Sequence, residues 1–424
     1  MTSLCHPSPH SHVDSSRTSA TKPYRHHLTG SPNHADRQRP KPSQSWIPDG
    51  TVSAASPIIQ SRAAELIPGN YIVKLKDGAS ESTLQKALKH VKTGDSKHVY
   101  RSGRFKGFAA KLSPQVLDAV SKLPEVNAIV TANDLITQTG SPWGLGRISH
   151  RTAGGTSYVY DSTAGEGTCA YIIDTGIYVE HSQFAGRAAF LANFIDTSNT
   201  DGNGHGTHVA GTVGGSTFGV AKNTQLFAVK VLSAGGAGTL SGVIAGIDFV
   251  ASDARNRTAA GQCPRGVVAN MSLGSRKSNA VNAAVRAAVN EAGVFFAVAA
   301  GNSDDDARFY SPASEESACT VGAINVADMR AYFSNYGSVV DVFAPGVDVV
   351  SSWIGGPENT NTVSGTSMAS PHIAGLGAYL LALLGPKTPT ELCQYIKDTA
   401  TLNTITDLPN GTFNAIAFNG NPNE

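Results

Sequence analysis

One alternation constrains the fold of this chain more than any other feature. From Trp143 onward, Gly-rich turns separate short apolar runs at residues 169–173, 226–231, 267–273, 294–299 and 319–324. Runs of this texture are typical of strands buried on both faces of a sheet. Between them lie stretches with helical character, around residues 206–213, 240–254, 279–292 and 371–384. Strand and helix in turn mean a parallel sheet covered on both sides. In such sheets ligands gather at the carboxyl ends of strands, beside helix N-termini.

Upstream the texture differs. Residues 71–76 alternate as a strand, 81–90 have helical spacing, and 97–101 and 105–112 read as two further strands. Pro114 opens a helix through residue 123, with proline favoured in a first turn, and residues 126–131 close with a fourth strand. The order βαββαβ is that of a small split βαβ module. Residues 137–142 are polar and turn-prone, and read as a linker or processing site. The first sixty residues are rich in Ser, Pro, His, Thr, Arg and Lys without either period, and read as disordered. Histidines 6, 10, 12, 26, 27 and 34 lie there, but their irregular spacing and the lack of any accompanying carboxylate or thiol pattern argue against a metal site.

The formal net charge of +1 creates no broad field, so nothing global points to nucleic acid or to an anionic membrane. No stretch reaches the roughly 18 uninterrupted apolar residues of a spanning helix. The longest, residues 373–384, is broken by Gly375 and Gly377, and a soluble protein is expected. Cys169, Cys263, Cys319 and Cys393 form an even internal set, with Cys5 alone near the start. Four cysteines allow three pairings, or none in a reducing compartment.

Three motifs fall where such a sheet places its ligands. Asp174, in Asp174-Thr175-Gly176, ends an apolar run, where a carboxylate can orient a histidine cation. His205 lies in the glycine-rich approach Asp201-Gly202-Asn203-Gly204-His205-Gly206-Thr207-His208. Ser367 lies in Gly365-Thr366-Ser367-Met368-Ala369-Ser370-Pro371-His372 at a helix start, where free N–H groups face developing negative charge. Serine is a weak nucleophile until a base takes its proton, and the base works best when a third group fixes its tautomer. Asn302, after a buried strand, can place an amide donor on the oxyanion.

Taken singly these motifs are weak. Asp174-Thr175-Gly176 also resembles the signature of aspartic peptidases, but that reading needs a second copy and the chain has none. A histidine in a glycine-rich loop is commonly structural, and residues 365–372 could be a turn and a cap. Together, in the order Asp, His, Ser with an Asn before the Ser, they point to one catalytic unit.

From Trp143 to about residue 417 the chain resembles the subtilases, and within them the fungal proteinase K group. The resemblance rests on Ser141-Pro142-Trp143-Gly144-Leu145, the His205 and Ser367 motifs, Tyr310-Ser311-Pro312-Ala313-Ser314 and Phe333-Ser334-Asn335-Tyr336-Gly337. Residues 66–131 likewise resemble the family's propeptide. The implied fold is α/β, a subtilisin-like three-layer fold with a parallel sheet and helices on both faces, preceded by a small α+β ferredoxin-like propeptide domain. The implied organisation is an N-terminal segment (1–60), an inhibitory propeptide (65–133) and a peptidase domain (136–424).

The resemblance carries further expectations. Ser272, Leu273 and Gly274 match one substrate-pairing edge, and the opposite edge, residues 232–238, contains Gly236, so a peptide would be held as an added strand. The implied disulfides are Cys169 with Cys263 and Cys319 with Cys393. Val209 stands where proteinase K has a free cysteine, which reduces expected sensitivity to thiol reagents. Asp341 matches the acidic ligand of a structural calcium, partnered by the backbone carbonyls of Glu316 and Ala318. At a weaker calcium site the acidic residue is replaced by Thr404, leaving that site in need of Asp407.

Small residues Gly274, Ala299, Ala300 and Gly301 imply an open first pocket and broad cleavage after aliphatic or aromatic residues. Ser275-Arg276-Lys277 departs from the glycine-rich continuation of proteinase K and adds positive charge at the rim. The expected partners are protein or peptide substrates and the chain's own propeptide; no organic cofactor, nucleic acid or membrane is expected, and a monomer is. Family members are secreted, yet residues 1–60 contain no 7–15-residue apolar run after a basic start. A displaced translation start is therefore expected, with residues 54–64 resembling the beginning of an ordinary propeptide.

Overall fold

A computed structural model describes residues 2–3, 58–59, 66–76, 79–92, 95–100, 106–133 and 135–424, all within one compact unit. The His-rich segment and Cys5 lie outside these residues.

The first module follows the expected order: β1 (Leu66–Leu75), α1 (Glu81–Leu88), β2 (Ser96–Tyr100), β3 (Gly107–Lys111), α2 (Pro114–Ser121) and β4 (Val126–Asn133). β1 pairs antiparallel with both β3 and β4, and β2 takes the edge beside β3. Each helix starts on a serine whose hydroxyl accepts from the backbone, Ser80 from Thr83 and Ser113 from Val116. Leu84, Ala87 and Val120 pack with Val73, Leu75, Phe108 and Ile129 into a small core.

The larger part begins with β5 (Leu135–Thr139), α3 (Trp143–Ser149) and β6 (Ser157–Asp161). The stretch at 137–142 is therefore not a free linker. Its first residues form β5, paired antiparallel with β6, and only Gly140–Pro142 turn. Periodicity over three residues is too short to reveal a strand whose partner lies twenty residues on.

The main sheet has nine strands. In spatial order they are β8 (Ala188–Asn193), β9 (Gln225–Lys230), β7 (Thr168–Asp174), β10 (Gly266–Met271), β11 (Phe295–Ala299), β12 (Cys319–Ile324), β13 (Val342–Pro345), β15 (Ala415–Ile416) and β14 (Thr401–Leu402). All neighbours through β15 are parallel, and β14 closes antiparallel. Both faces are apolar. Ala170 and Ile172 of β7 face a core formed with α4 (His205–Gly214) and α7 (Thr366–Leu384), while Tyr171 and Ile173 face one formed with α5 (Leu240–Ala259) and α6 (Asn279–Ala292). A final helix, α8 (Pro389–Thr399), covers the strands near β11.

Helix α7 begins at Thr366, five residues before the start that Pro371 implies. It is long and apolar enough to cross a membrane by length and composition, but most of it is buried inside the protein, so it is a core helix.

Candidate active site

Two strand ends and two helix starts carry the residues of the candidate site, and the bonds join Asp174 with His205 and Asn302 with Thr366. Asp174 is the last residue of β7 and is fully buried. Its Oδ1 accepts from His205 Nδ1 at 2.8 Å and from the Thr175 N–H at 2.7 Å. A carboxylate can only accept, so Nδ1 carries the proton and Nε2 is left as the basic nitrogen.

His205 opens α4 directly after Gly204, whose φ of +102° suits glycine and whose missing side chain makes room for the Trp353 ring, 2.5 Å from where a Cβ would stand. The approach is organised by Asp201. Its Oδ1 accepts from Thr175 Oγ1 and from the Asn203 and Gly204 N–H groups, and its Oδ2 from Thr207 N and Oγ1, all at 2.7–2.9 Å. Sequence reasoning quoted Asp201 only as part of a motif; an Asp two residues before Asn-Gly was the available turn signal.

Burial opposes a charge on His205, but Asp174, by charge and hydrogen bond, and Asp201, by charge, outweigh it and raise its pKa above the ordinary 6.5. Two neighbouring histidines behave in the opposite way. Burial pushes His208, bonded to the Val349 carbonyl, down to about 3, and His372, bonded to the Met368 carbonyl, down to about 4. Both are neutral packing groups.

Ser367 is the second residue of α7 and is 8% exposed. Pro371 has no N–H to give the carbonyl four residues back, which is that of Ser367. Ser272 Oγ fills the gap, donating to Ser367 O at 2.7 Å, while Ser367 Oγ donates to Ser272 O at 3.2 Å. Ser272 Oγ is itself held by Asn270 Nδ2 at 2.8 Å, and Asn270 Oδ1 by Ser370 Oγ at 2.7 Å. This reciprocal clamp ties the helix that carries Ser367 to the end of β10.

Asn302 follows β11 through Gly301, whose φ is +107°. Its side-chain carbonyl accepts from both the backbone N–H and the hydroxyl of Thr366, at 2.8 and 2.7 Å. The N–H of Thr366 can only donate, so the atom facing it is oxygen and the amide NH₂ points the other way, 3.4 Å from where a Cβ on Gly365 would stand. Thr366, named in the sequence only as part of the Ser367 motif, sets this orientation.

Of the two expected substrate edges, residues 272–274 leave the carboxyl end of β10, and Gly236 sits in a turn before the short strand Ala237–Gly238. That strand pairs antiparallel with Thr2–Ser3, so this edge accepts an extended segment. At the rim, Arg276 does not stand as free positive charge: it lies 3.4 Å from Asp305 and 4.9 Å over the Tyr310 ring.

Cys169 is bonded to Cys263, and Cys319 to Cys393. At Asp341, Oδ2 accepts from the Thr320 N–H at 2.9 Å and Oδ1 from Lys397 Nζ at 2.7 Å. Both oxygens face donors and the cationic position holds an ammonium, so the residues as they stand do not fit a divalent ion. The nearby Cys319 and Cys393 sulfurs share a disulfide and cannot ligate as thiolates.

Comparison with known proteins shows the family. Residues 165–418 match the subtilase family model, and residues 70–133 match peptidase inhibitor I9. The chain is 50% identical over 376 residues to a cuticle-degrading protease of Metarhizium anisopliae, covering 88% of this chain and 95% of the relative. It is 58% identical over 297 residues to Proteinase T of Parengyodontium album, covering 70% and 98%. The crystal structure of a cold adapted subtilisin-like serine proteinase superposes with a TM-score of 0.61 at 42% identity, over 66% of this chain and 99% of that one. With an I9 propeptide module ahead of a subtilisin-like fold, and with proteinase K-like fungal proteases as its relatives, the chain belongs to the subtilase family of serine proteases.

Proposed function

We propose that this chain is the precursor of a secreted endopeptidase, in which Ser367 forms an acyl-enzyme, His205 moves the proton, Asp174 holds the imidazole, and Asn302 binds the oxyanion. The observation that carries the reading is the Asp174–His205 bond, which leaves Nε2 as the base. The Ser367 hydroxyl turns from the Ser272 carbonyl toward that nitrogen; such catalytic contacts commonly tighten only with substrate present.

Oγ then attacks the scissile carbonyl as Nε2 takes its proton. The new oxyanion receives hydrogen bonds from the Asn302 amide and from the Ser367 N–H at the start of α7, where Asn302 already takes the Thr366 N–H and the Gly365 carbonyl that of Met368. Loss of the corresponding asparagine in subtilisin costs about 100- to 1,000-fold in turnover. The C–N bond breaks as His205 returns the proton to the leaving amine, and water repeats the sequence on the acyl-enzyme. A substrate strand between Gly236 and Ser272-Leu273-Gly274 would present its carbonyl. An open pocket beside Gly274 and residues 299–301 favours aliphatic or aromatic side chains.

Residues 65–133 act as the inhibitory propeptide and 136–424 as the monomeric peptidase, separated by the enzyme's own cut. The approach of β4 to α7, within 8 Å between Cα atoms, supports an end of the propeptide near the nucleophile's helix. Two disulfides support an oxidising, extracellular setting. A calcium at Asp341, with the Glu316 and Ala318 carbonyls, would have to displace Lys397, and takes no part in this chemistry.

The test is labelling with a serine-directed fluorophosphonate. One label on Ser367, lost in Ser367→Ala together with self-cleavage of the precursor, is expected, since loss of the nucleophile in subtilisin lowers kcat about 2 × 10⁶-fold. A Ser367→Ala precursor that still matures in a peptidase-free host would overturn the assignment.

A further inference from the structure

We propose that Lys397 supplies, from within the chain, the positive charge at Asp341 where resemblance to the subtilases implies a structural calcium, so that the fold is closed there by an ammonium rather than a metal. The inference concerns stability; only the blocking reagent in its test uses the proposed nucleophile, and the melting readout does not.

Three features converge on that carboxylate. Lys397 Nζ lies 2.7 Å from Oδ1. Lys397 is also one helical turn beyond Cys393 on α8, and the Cys319–Cys393 bond ties that turn to the start of β12. Asp341 is fixed to the same strand start by a pair of bonds with Thr320, its N–H to the Thr320 carbonyl at 2.9 Å and its Oδ2 from the Thr320 N–H at 2.9 Å. The helix therefore delivers its lysine to a carboxylate whose position the strand has already set. The Phe413 ring, 5.7 Å from Nζ, adds a second attractive surface for the ammonium.

A divalent ion would need this carboxylate as its charged ligand, at about 2.3–2.6 Å, together with several further oxygens. It would then stand beside an ammonium of like sign on the same group. Cation and lysine therefore compete for one anion, and the lysine is tethered, so its pairing is intramolecular and needs no ion from solution.

The experiment measures thermal unfolding of the mature enzyme with its serine blocked by a fluorophosphonate, in EGTA and in 5–10 mM calcium (about 10 mM suffices by mass action). For the wild type the two melting temperatures should agree within about 1 °C. Lys397→Met keeps the stem and removes the charge; it should melt lower in EGTA and gain roughly 5–10 °C with calcium. Asp341→Asn in the Lys397→Met background should abolish the gain, assigning it to this carboxylate. The proposal is overturned if wild type and Lys397→Met respond equally to calcium, or if Lys397→Met gains nothing from it, which would leave an ordinary ion pair.

Discussion

His205 is where opposing influences on one residue decide the chemistry. Burial favours the neutral imidazole, yet the carboxylates of Asp174 and Asp201 more than offset it and raise the pKa above 6.5. As the proposed base, His205 must be neutral to act, so kcat/KM should fall as pH drops through a value above 6.5, because its acid limb reports the free enzyme. Asp174→Asn removes the larger favourable influence and the hydrogen-bond acceptor that fixes the tautomer. It should move the midpoint downward and lower kcat about 10⁴-fold. An acid limb at or below 6.5 that Asp174→Asn leaves in place would contradict this reading.

At the scale of elements, the decisive feature is a proline inside a helix. Pro371 frees the carbonyl of Ser367, and Ser272, arriving from the end of β10, takes it up. Ser272→Ala should therefore cost about 1–3 kcal/mol of stability, the range for a buried polar group left without its partner. Urea unfolding of the serine-blocked enzyme reads the stability, and kcat should fall with it because the helix of the proposed nucleophile loses its tie to the proposed substrate edge. Unchanged unfolding would show that the clamp is incidental. The proline also explains why local reading began α7 too late: the usual preference of proline for a first turn gave way to a partner that only the folded chain supplies.

Over the whole molecule, the two modules meet at β4 and β5, with one residue between their ends. The mature chain should begin between Asn133 and Gln138. Residues 136 and 137 are exposed on β5, and the apolar Leu135 and Ile136 match the proposed first pocket. Until the propeptide is degraded, the cut precursor should remain inactive. Mass spectrometry of the purified enzyme reads the position. A fully active chain that still carries residues 66–131 in one piece would make that module an ordinary domain.

The βαββαβ module, the buried strands of the main sheet and the Asp174, His205 and Ser367 motifs were legible in the sequence, because periodicity, turn residues and helix starts act between near neighbours. The sequence alone left the cysteine pairing open among three arrangements, and resemblance supplied the one observed. What it could not carry were partnerships between distant residues: Lys397 with Asp341 across 56 positions, Thr366 with Asn302 across 64, Ser272 with Ser367 across 95, and the buried pair Arg147–Asp328 across 181. Each is a polar contact with a reach of about 3 Å, set by where a parallel sheet happens to bring two strand or helix ends together. Local preference determines that such ends exist; only packing of the whole chain decides which side chains they share.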